Sequence, residues 1–255
     1  METMTHGEKF DHDGYISGID ILSDSEVAKI RTSFDEIEAR LGKDEAQIGI
    51  IGKEREVSWL WNLATHPGIL DAVQRAYGED LLLIGTHVFC KYPVEDTGTE
   101  AFVAWHQDVT YWGLEPPKAI TAWLAIDDAD EENGAMMVIP GSHLSGILDH
   151  GTSREKGNLL SVNQAVSDEA FDPDSAVTLT LRAGQISLHD GLTIHGSLPN
   201  HSTRRRCGAA IRYTTPEVRI VGNENQTFDW QAVLVRGEDR HGNLQLLPEP
   251  EFATT

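Results

Sequence analysis

Hydrophobic positions along this 255-residue chain change their period near residue 80. Before that point Val27, Ile30, Phe34, Ile37 and Leu41 recur every three or four residues, which places them on one face of a helix. Ser23, with Glu26 three residues on, is a capping-box signature, and Gly42 stands where a C-terminal cap belongs. A second helix is predicted from Pro67, carrying Ile69, Leu70, Val73 and Tyr77 until Gly78 stops it. Beyond it the apolar residues come in short runs. Segments 81–91, 101–108, 119–126, 135–139, 177–181, 185–189, 193–197 and 207–214 read as strands, punctuated by turn pairs such as Asn133-Gly134, Pro140-Gly141 and Asp190-Gly191. Helices ahead of many short strands predict a mainly β chain with flanking α-helices. A double-sheet jelly roll is the expected form, because it manages sheet edges that would otherwise stay open. One domain is expected over 1–255, with a helical part at about 20–78 and a jelly-roll core at about 81–221.

Two stretches stand apart from this pattern. Residues 149–176 are polar and longer than a packed connection needs, as functional lids and inserts are. The tail from Gly222 holds Trp230 and an apolar patch at Val233–Val235, with no chemical signal.

Composition narrows the partners. The formal charge of −21 disfavours a nucleic acid or an acidic membrane, and makes a dedicated face for a highly anionic carrier unexpected. No apolar run approaches the ~18 residues of a membrane span. The first fifteen residues carry five charged side chains (Glu2, Glu8, Lys9, Asp11, Asp13) and do not read as a secretory signal. Cys90 and Cys207 are too few for a disulfide framework, so a cytoplasmic setting is expected.

Candidate chemistry centres on His106-Gln107-Asp108. In a strand, residues i and i+2 face the same way, so the imidazole and carboxylate would point together, with Trp105 and Gln107 on the other face. Among 11 histidines such a pair is cheap, but its flanks (Phe102–Trp105, Tyr111, Trp112) are apolar and aromatic. A buried His-Asp pair needs a partner, either a hydrogen bond or a metal. One more histidine would make a 2-His-1-carboxylate set, which leaves open positions on Fe(II). His189 and His195, on either side of Asp190-Gly191, both qualify. His195 leads because the chain after it returns through Arg204, Arg205 and Arg206, and a returning strand can set a guanidinium beside the metal. Arg204 and Arg205 read as a solvated cationic patch.

Several segments together carry a resemblance. These are Phe10–Tyr15, Phe89-Cys-Lys91-Tyr-Pro93, Trp105–Asp108, Thr121-Ala-Trp123, Asn133–His143, and His195-Gly-Ser-Leu-Pro-Asn200 followed by Arg206 and Arg212-Tyr213. In this order, over about 10–214, they resemble the phytanoyl-CoA dioxygenase family of Fe(II)/2-oxoglutarate oxygenases. The resemblance implies a double-stranded β-helix of the cupin-like jelly-roll type, with iron on His106, Asp108 and His195. It implies that Arg206 holds the distal carboxylate of 2-oxoglutarate, with Ser197 and Trp123 in the same pocket and Thr121 and Gln107 in motif positions. An early lysine contacts the cosubstrate in some relatives. Lys53 is the candidate, while Lys91 lies in a recognisable motif without that role.

The resemblance further implies that Fe(II), 2-oxoglutarate and O2 serve to oxidise a C–H bond, with release of succinate and CO2. Halogenating members of the superfamily have Gly or Ala where Asp108 stands, so hydroxylation is favoured over chlorination. A small, polar metabolite or natural-product intermediate is the expected substrate. Tyr111, Trp112, residues 149–176 and the pair Asn163-Gln164 are candidate walls or contacts. A fatty acyl-CoA hydroxylase of the same family, a non-catalytic jelly-roll binding protein and a zinc hydrolase remain the alternatives. The sequence does not choose between monomer and homodimer.

Overall fold

In the computed structural model, which describes residues 4–152, 156–160, 164–221 and 231–252, the change of period becomes a helical flank laid on two facing sheets. The flank has five helices: α1 (His6–Asp13), α2 (Asp24–Leu41), α3 (Lys43–Ile48), α4 (Ser58–Ala64) and α5 (Pro67–Tyr77). Capping sets the first two. Ser23 accepts from the Glu26 amide while the Glu26 carboxylate accepts from the Ser23 amide, and Thr5 and Glu8 repeat the same box at α1. Such reciprocal bonds satisfy amides that the first turn leaves unpaired.

Ten strands build the two main sheets: β1 (Tyr15–Asp20), β2 (Leu81–Lys91), β3 (Val103–His106), β4 (Ile120–Ala125), β5 (Met136–Val138), β6 (Val177–Thr178), β7 (Gln185–Asp190), β8 (His195–Ser197), β9 (Arg206–Thr214) and β10 (Val233–Arg236). The larger sheet runs β1-β7-β4-β9-β2-β10 and the smaller β3-β8-β5-β6, every pairing antiparallel. This is the curled double sheet of a jelly roll, as the strand-rich sequence predicts.

One face of the larger sheet packs on the helices. Phe34, Ile37, Leu60, Ile69 and Val73 meet Leu83, Leu124, Ile186, Ile211 and Tyr213 in the main core. In β9 the alternation is clean: Cys207, Ala209, Ile211 and Tyr213 enter that core. Arg206, Ala210 and Arg212 take the opposite face, towards the smaller sheet, and line the cavity between the sheets. Gly208 lies among them. A Cβ there would sit 2.1 Å from the Trp123 ring, so the indole lies where only glycine leaves room.

Several boundaries differ from the sequence reading. The N-terminal fifth is not only helical, since Tyr15–Asp20 pairs with β7 as an edge strand of the larger sheet, and β10 extends that sheet beyond residue 221. Segment 101–108 ladders only over Val103–His106, and Asp108 opens a short 3-10 helix, Asp108–Tyr111. Segment 177–181 ladders over two residues before Leu181 bridges to Ala129. Residues 149–176 are not one open loop. His150–Thr152 and Gln164–Val166 form a two-stranded ribbon, and the backbone of Asn158 bridges to Phe102. Asn163 and Trp230 lie outside the described residues, as do the side chains of Tyr111 and Gln164.

Candidate active site

The smaller sheet brings two histidines face to face. His106 closes β3 and His195 opens β8; they are cross-strand partners with ring centroids 4.1 Å apart. Their Nδ1 atoms lie 2.9 Å from the Ala104 carbonyl and 3.0 Å from the Thr193 carbonyl. A carbonyl only accepts, so each Nδ1 donates and each Nε2 keeps its lone pair for the cavity. Although the ladder stops at His106, Gln107 remains extended (φ −116°, ψ 130°), so the alternation carries one residue further and brings Asp108 to the same side. Ligand atoms of His106, Asp108 and His195 lie within 4.8 Å of one another, and all three residues are buried. Two imidazole nitrogens and a carboxylate in that space suit a divalent transition metal.

Neighbours hold this set in place. Thr121 on β4 donates to Asp108 Oδ2 at 2.7 Å. Gln107, the residue between the ligand candidates, donates to the carbonyls of Gly146 (2.9 Å) and Leu192 (2.7 Å) and accepts from the Leu148 amide (2.8 Å). That clamp fixes the loops around the site and gives Gln107 a positioning role. Burial raises the Asp108 carboxyl, but the Arg212 guanidinium and the adjacent His106 and His189 outweigh it and hold the group well below the usual carboxylate range. Burial, then His106 and His189, push His195 well below the ordinary imidazole value. A carboxylate and a neutral imidazole are the forms a metal binds.

His189 is the near miss. It lines the same cavity, with Nε2 3.6 Å from Asp108 Oδ2, but its ligand atoms stay outside the three-residue set. Both its ring nitrogens are buried and have no hydrogen-bond partner among the described residues.

One end of the cavity is cationic. Arg206, buried, donates to the Gly134 carbonyl at 2.8 Å and to Ser197 Oγ at 3.4 Å, and its guanidinium lies over Trp123. Lys91 is fully buried on the neighbouring strand and donates to Ser197 Oγ (2.6 Å) and to the Leu198 carbonyl. Burial lowers the Arg206 pKa to about 10, and burial with Arg206 nearby pulls Lys91 well below its usual value. Arg204 and Arg205 turn away, paired with Asp130 and with Asp35 and Asp127. Neither early lysine is in the cavity lining: Lys53 pairs with Glu56 at 2.9 Å, and Lys91 is the one that lies beside Ser197 and Arg206.

The cavity measures about 340 Å³ and is walled by both sheets, by Trp112 and by Leu160 from the 149–176 segment. Glu54, His87 and Arg212 also line it, and sequence reading assigned them no role. A signal for Arg212 existed: it stands six residues after Arg206, an even spacing that puts both on one strand face. Glu54 and His87 gave none, because the turn before α4 brings Glu54 to Thr86 only in three dimensions.

Comparison with known proteins agrees with this geometry. The family model for phytanoyl-CoA dioxygenase (PhyH) matches residues 10–208. A protein of Stutzerimonas stutzeri named probable alpha-ketoglutarate-dependent hypophosphite dioxygenase is 31% identical over 169 residues, covering 66% of this chain and 57% of that one. L-proline trans-4-hydroxylase of Streptomyces griseoviridis is 32% identical over 126 residues, 43% of this chain and 47% of the hydroxylase. The chain thus spans about half the length of these two relatives. Among solved structures, the non-heme monooxygenase ThoJ in its apo form is 30% identical with a TM-score of 0.77, over 97% of this chain and 89% of ThoJ. Among the described residues no helix is long and apolar enough to cross a membrane. Carrying the family's fold, its sequence model and a buried His-Asp-His set able to hold a metal, the chain belongs to the phytanoyl-CoA dioxygenase family of Fe(II)- and 2-oxoglutarate-dependent oxygenases.

Proposed function

We propose that this protein is a dioxygenase that hydroxylates, or otherwise oxidises, an unactivated C–H bond of a small polar metabolite or natural-product intermediate. The observation that carries the reading is the joint placement, in one cavity, of the His106-Asp108-His195 cluster and the Arg206 guanidinium. In this reading His106, Asp108 and His195 hold Fe(II), and Arg206 takes the distal carboxylate of 2-oxoglutarate. When bound, iron with O2 and 2-oxoglutarate supplies the oxidation, coupled to loss of succinate and CO2.

The chain's own residues orient and shield. The Ala104 and Thr193 carbonyls hold the two imidazoles in the ligating tautomer, and Thr121 fixes the Asp108 carboxylate. Ser197, held by Lys91, offers its hydroxyl beside Arg206, and Trp123 closes that end with an apolar face. Trp112, Met136 and Leu160 give the cavity apolar walls.

A cavity of about 340 Å³ is the size of a small-molecule site, which favours a small metabolite over a fatty acyl-CoA. The relatives' names, hypophosphite dioxygenase and L-proline hydroxylase, support small, polar substrates. We assign no nucleic-acid or membrane partner, in line with the formal charge of −21, and a cytoplasmic setting, which suits the buried free thiols of Cys90 and Cys207. Purified protein with Fe(II) and 2-oxoglutarate should release succinate in air, faster with an accepted substrate, and none under anaerobic conditions. Oxygen-independent hydrolysis, or no 2-oxoglutarate binding at all, would refute the assignment.

A further inference from the structure

We propose that Arg212 is the substrate anchor of this site, its guanidinium holding a carboxylate or comparable oxyanion of the reacting molecule beside the metal position. The proposal rests on the oxygenase reading above and names the substrate class: a small molecule with one oxyanion group.

Arg206 and Arg212 project from the same face of β9 into one cavity, six residues apart. At the rise of an extended strand their Cα atoms are about 20 Å apart, so they serve different regions of the cavity. Arg206 is committed to the Gly134 carbonyl and Ser197 at one end. Arg212 lies at the other, where its Nη2 is 3.7 Å from Asp108 Oδ1.

Among the described residues Arg212 is held by no hydrogen-bonded carboxylate. The carboxylate paired with it among those residues, Asp108 at 3.7 Å, is beyond hydrogen-bond reach, and the buried Arg212 Nε has no partner among them. Its cation is held over the Trp112 ring, 5.5 Å from the centroid. An aromatic face orients a guanidinium but leaves its in-plane N–H groups free for a planar anion. The guanidinium is largely but not fully buried, its side chain 16% exposed, and a partly desolvated cation gains from a hydrogen-bonded anion. Asp108 stands at 3.7 Å and is also a candidate metal ligand, so the Arg212 guanidinium keeps hydrogen-bonding capacity for a further anion.

The surroundings leave space for such a group and limit it to one. Gly85 is the cross-strand partner of Arg212, and a Cβ built on it would have no atom within 4 Å. His87 on the same wall stays neutral, its pKa lowered to about 3 by burial and then by Arg212, so it adds no competing cation. Glu54 faces the cavity with one oxygen bonded to the Thr86 amide (3.2 Å) and hydroxyl (2.8 Å). Its charge opposes a second anionic group and tolerates a neutral or cationic remainder.

The metal-proximal carboxylate of 2-oxoglutarate has the same chemistry as the proposed ligand, so the test separates them. Protein carrying Mn(II) and saturating 2-oxoglutarate, with saturation measured for each variant, is titrated with cyclopentanecarboxylate and cyclopentanecarboxamide. Paramagnetic broadening of the ligand protons reports approach to the metal. The wild type should prefer the carboxylate at least tenfold. Arg212→Gln should erase that preference, and Arg212→Lys, which keeps the charge, should restore part of it. A wild type without preference, or an Arg212→Gln variant that retains it, overturns the proposal. So does an Arg212→Gln variant whose principal defect is a tenfold or greater loss of 2-oxoglutarate affinity, since Arg212 then belongs to the cosubstrate. A wild type that binds no 2-oxoglutarate instead brings down the oxygenase reading itself.

Discussion

Two backbone carbonyls do as much for this site as the side chains they orient. Because Ala104 and Thr193 accept from Nδ1, the neutral imidazoles of His106 and His195 turn the Nε2 lone pair towards Asp108 and the cavity, an arrangement preset for a cation. Asp108→Ala removes the anionic member and should abolish metal-dependent turnover, read as succinate release. His189→Ala removes a buried imidazole outside the cluster and should leave metal binding measurable, weakened by no more than roughly 10- to 100-fold, the loss usual when a group beside the ligands is removed. A reversed result, measured by metal titration, would exchange the roles of the two histidines. At the other end, Arg206→Ala takes away charged hydrogen bonds worth about 2–3 kcal/mol, so 2-oxoglutarate affinity should fall roughly 30- to 150-fold. Binding of the metal alone, titrated without 2-oxoglutarate, should change far less.

Among the elements, the joint between α3 and β2 carries a pH signature. His87 Nε2 lies 2.9 Å from the Ile48 carbonyl, tying β2 to the end of α3, and burial followed by the Arg212 charge lowers its pKa to about 3. The unfolded chain takes up this proton near pH 6.5, whereas the folded chain resists it until about pH 3. Stability from this group is therefore complete above pH 6.5 and is lost progressively as the pH falls towards 3. Between pH 6.5 and 4.5 the loss should be about 2–3 kcal/mol by urea unfolding, and His87→Gln should flatten that slope. Elements also show how far local pattern reaches. Helix α2 was legible because its cap, its apolar stripe and Gly42 agree over 18 residues. Helix α1 has the same box at Thr5 and Glu8 yet buries only Phe10, too little periodicity to read. Strands β3, β6 and β8 are two to four residues long, set by which partner lies alongside rather than by their own alternation.

At the scale of the molecule, the larger sheet is a partition. Its helix-facing side is apolar and its other side holds the candidate chemistry, and the same strands serve both. Damage to the helix side should therefore weaken the fold while leaving the chemistry of the folded fraction intact. Phe34→Ala, at a fully buried position of the main core, should cost about 3–5 kcal/mol, seen as a lower unfolding midpoint. Metal affinity measured well below that midpoint should be preserved. Residue types and their order were enough to indicate a strand-rich jelly roll, the pair His106 and Asp108, and the family, because spacing along one strand and short motifs are local properties. Local spacing could not decide between His189 and His195, seat Lys91 rather than Lys53 beside Ser197, or bring Glu54, His87 and Arg212 to one cavity wall. Those outcomes depend on strand register and on segments tens of residues apart packing together, so they exist only once both sheets have closed.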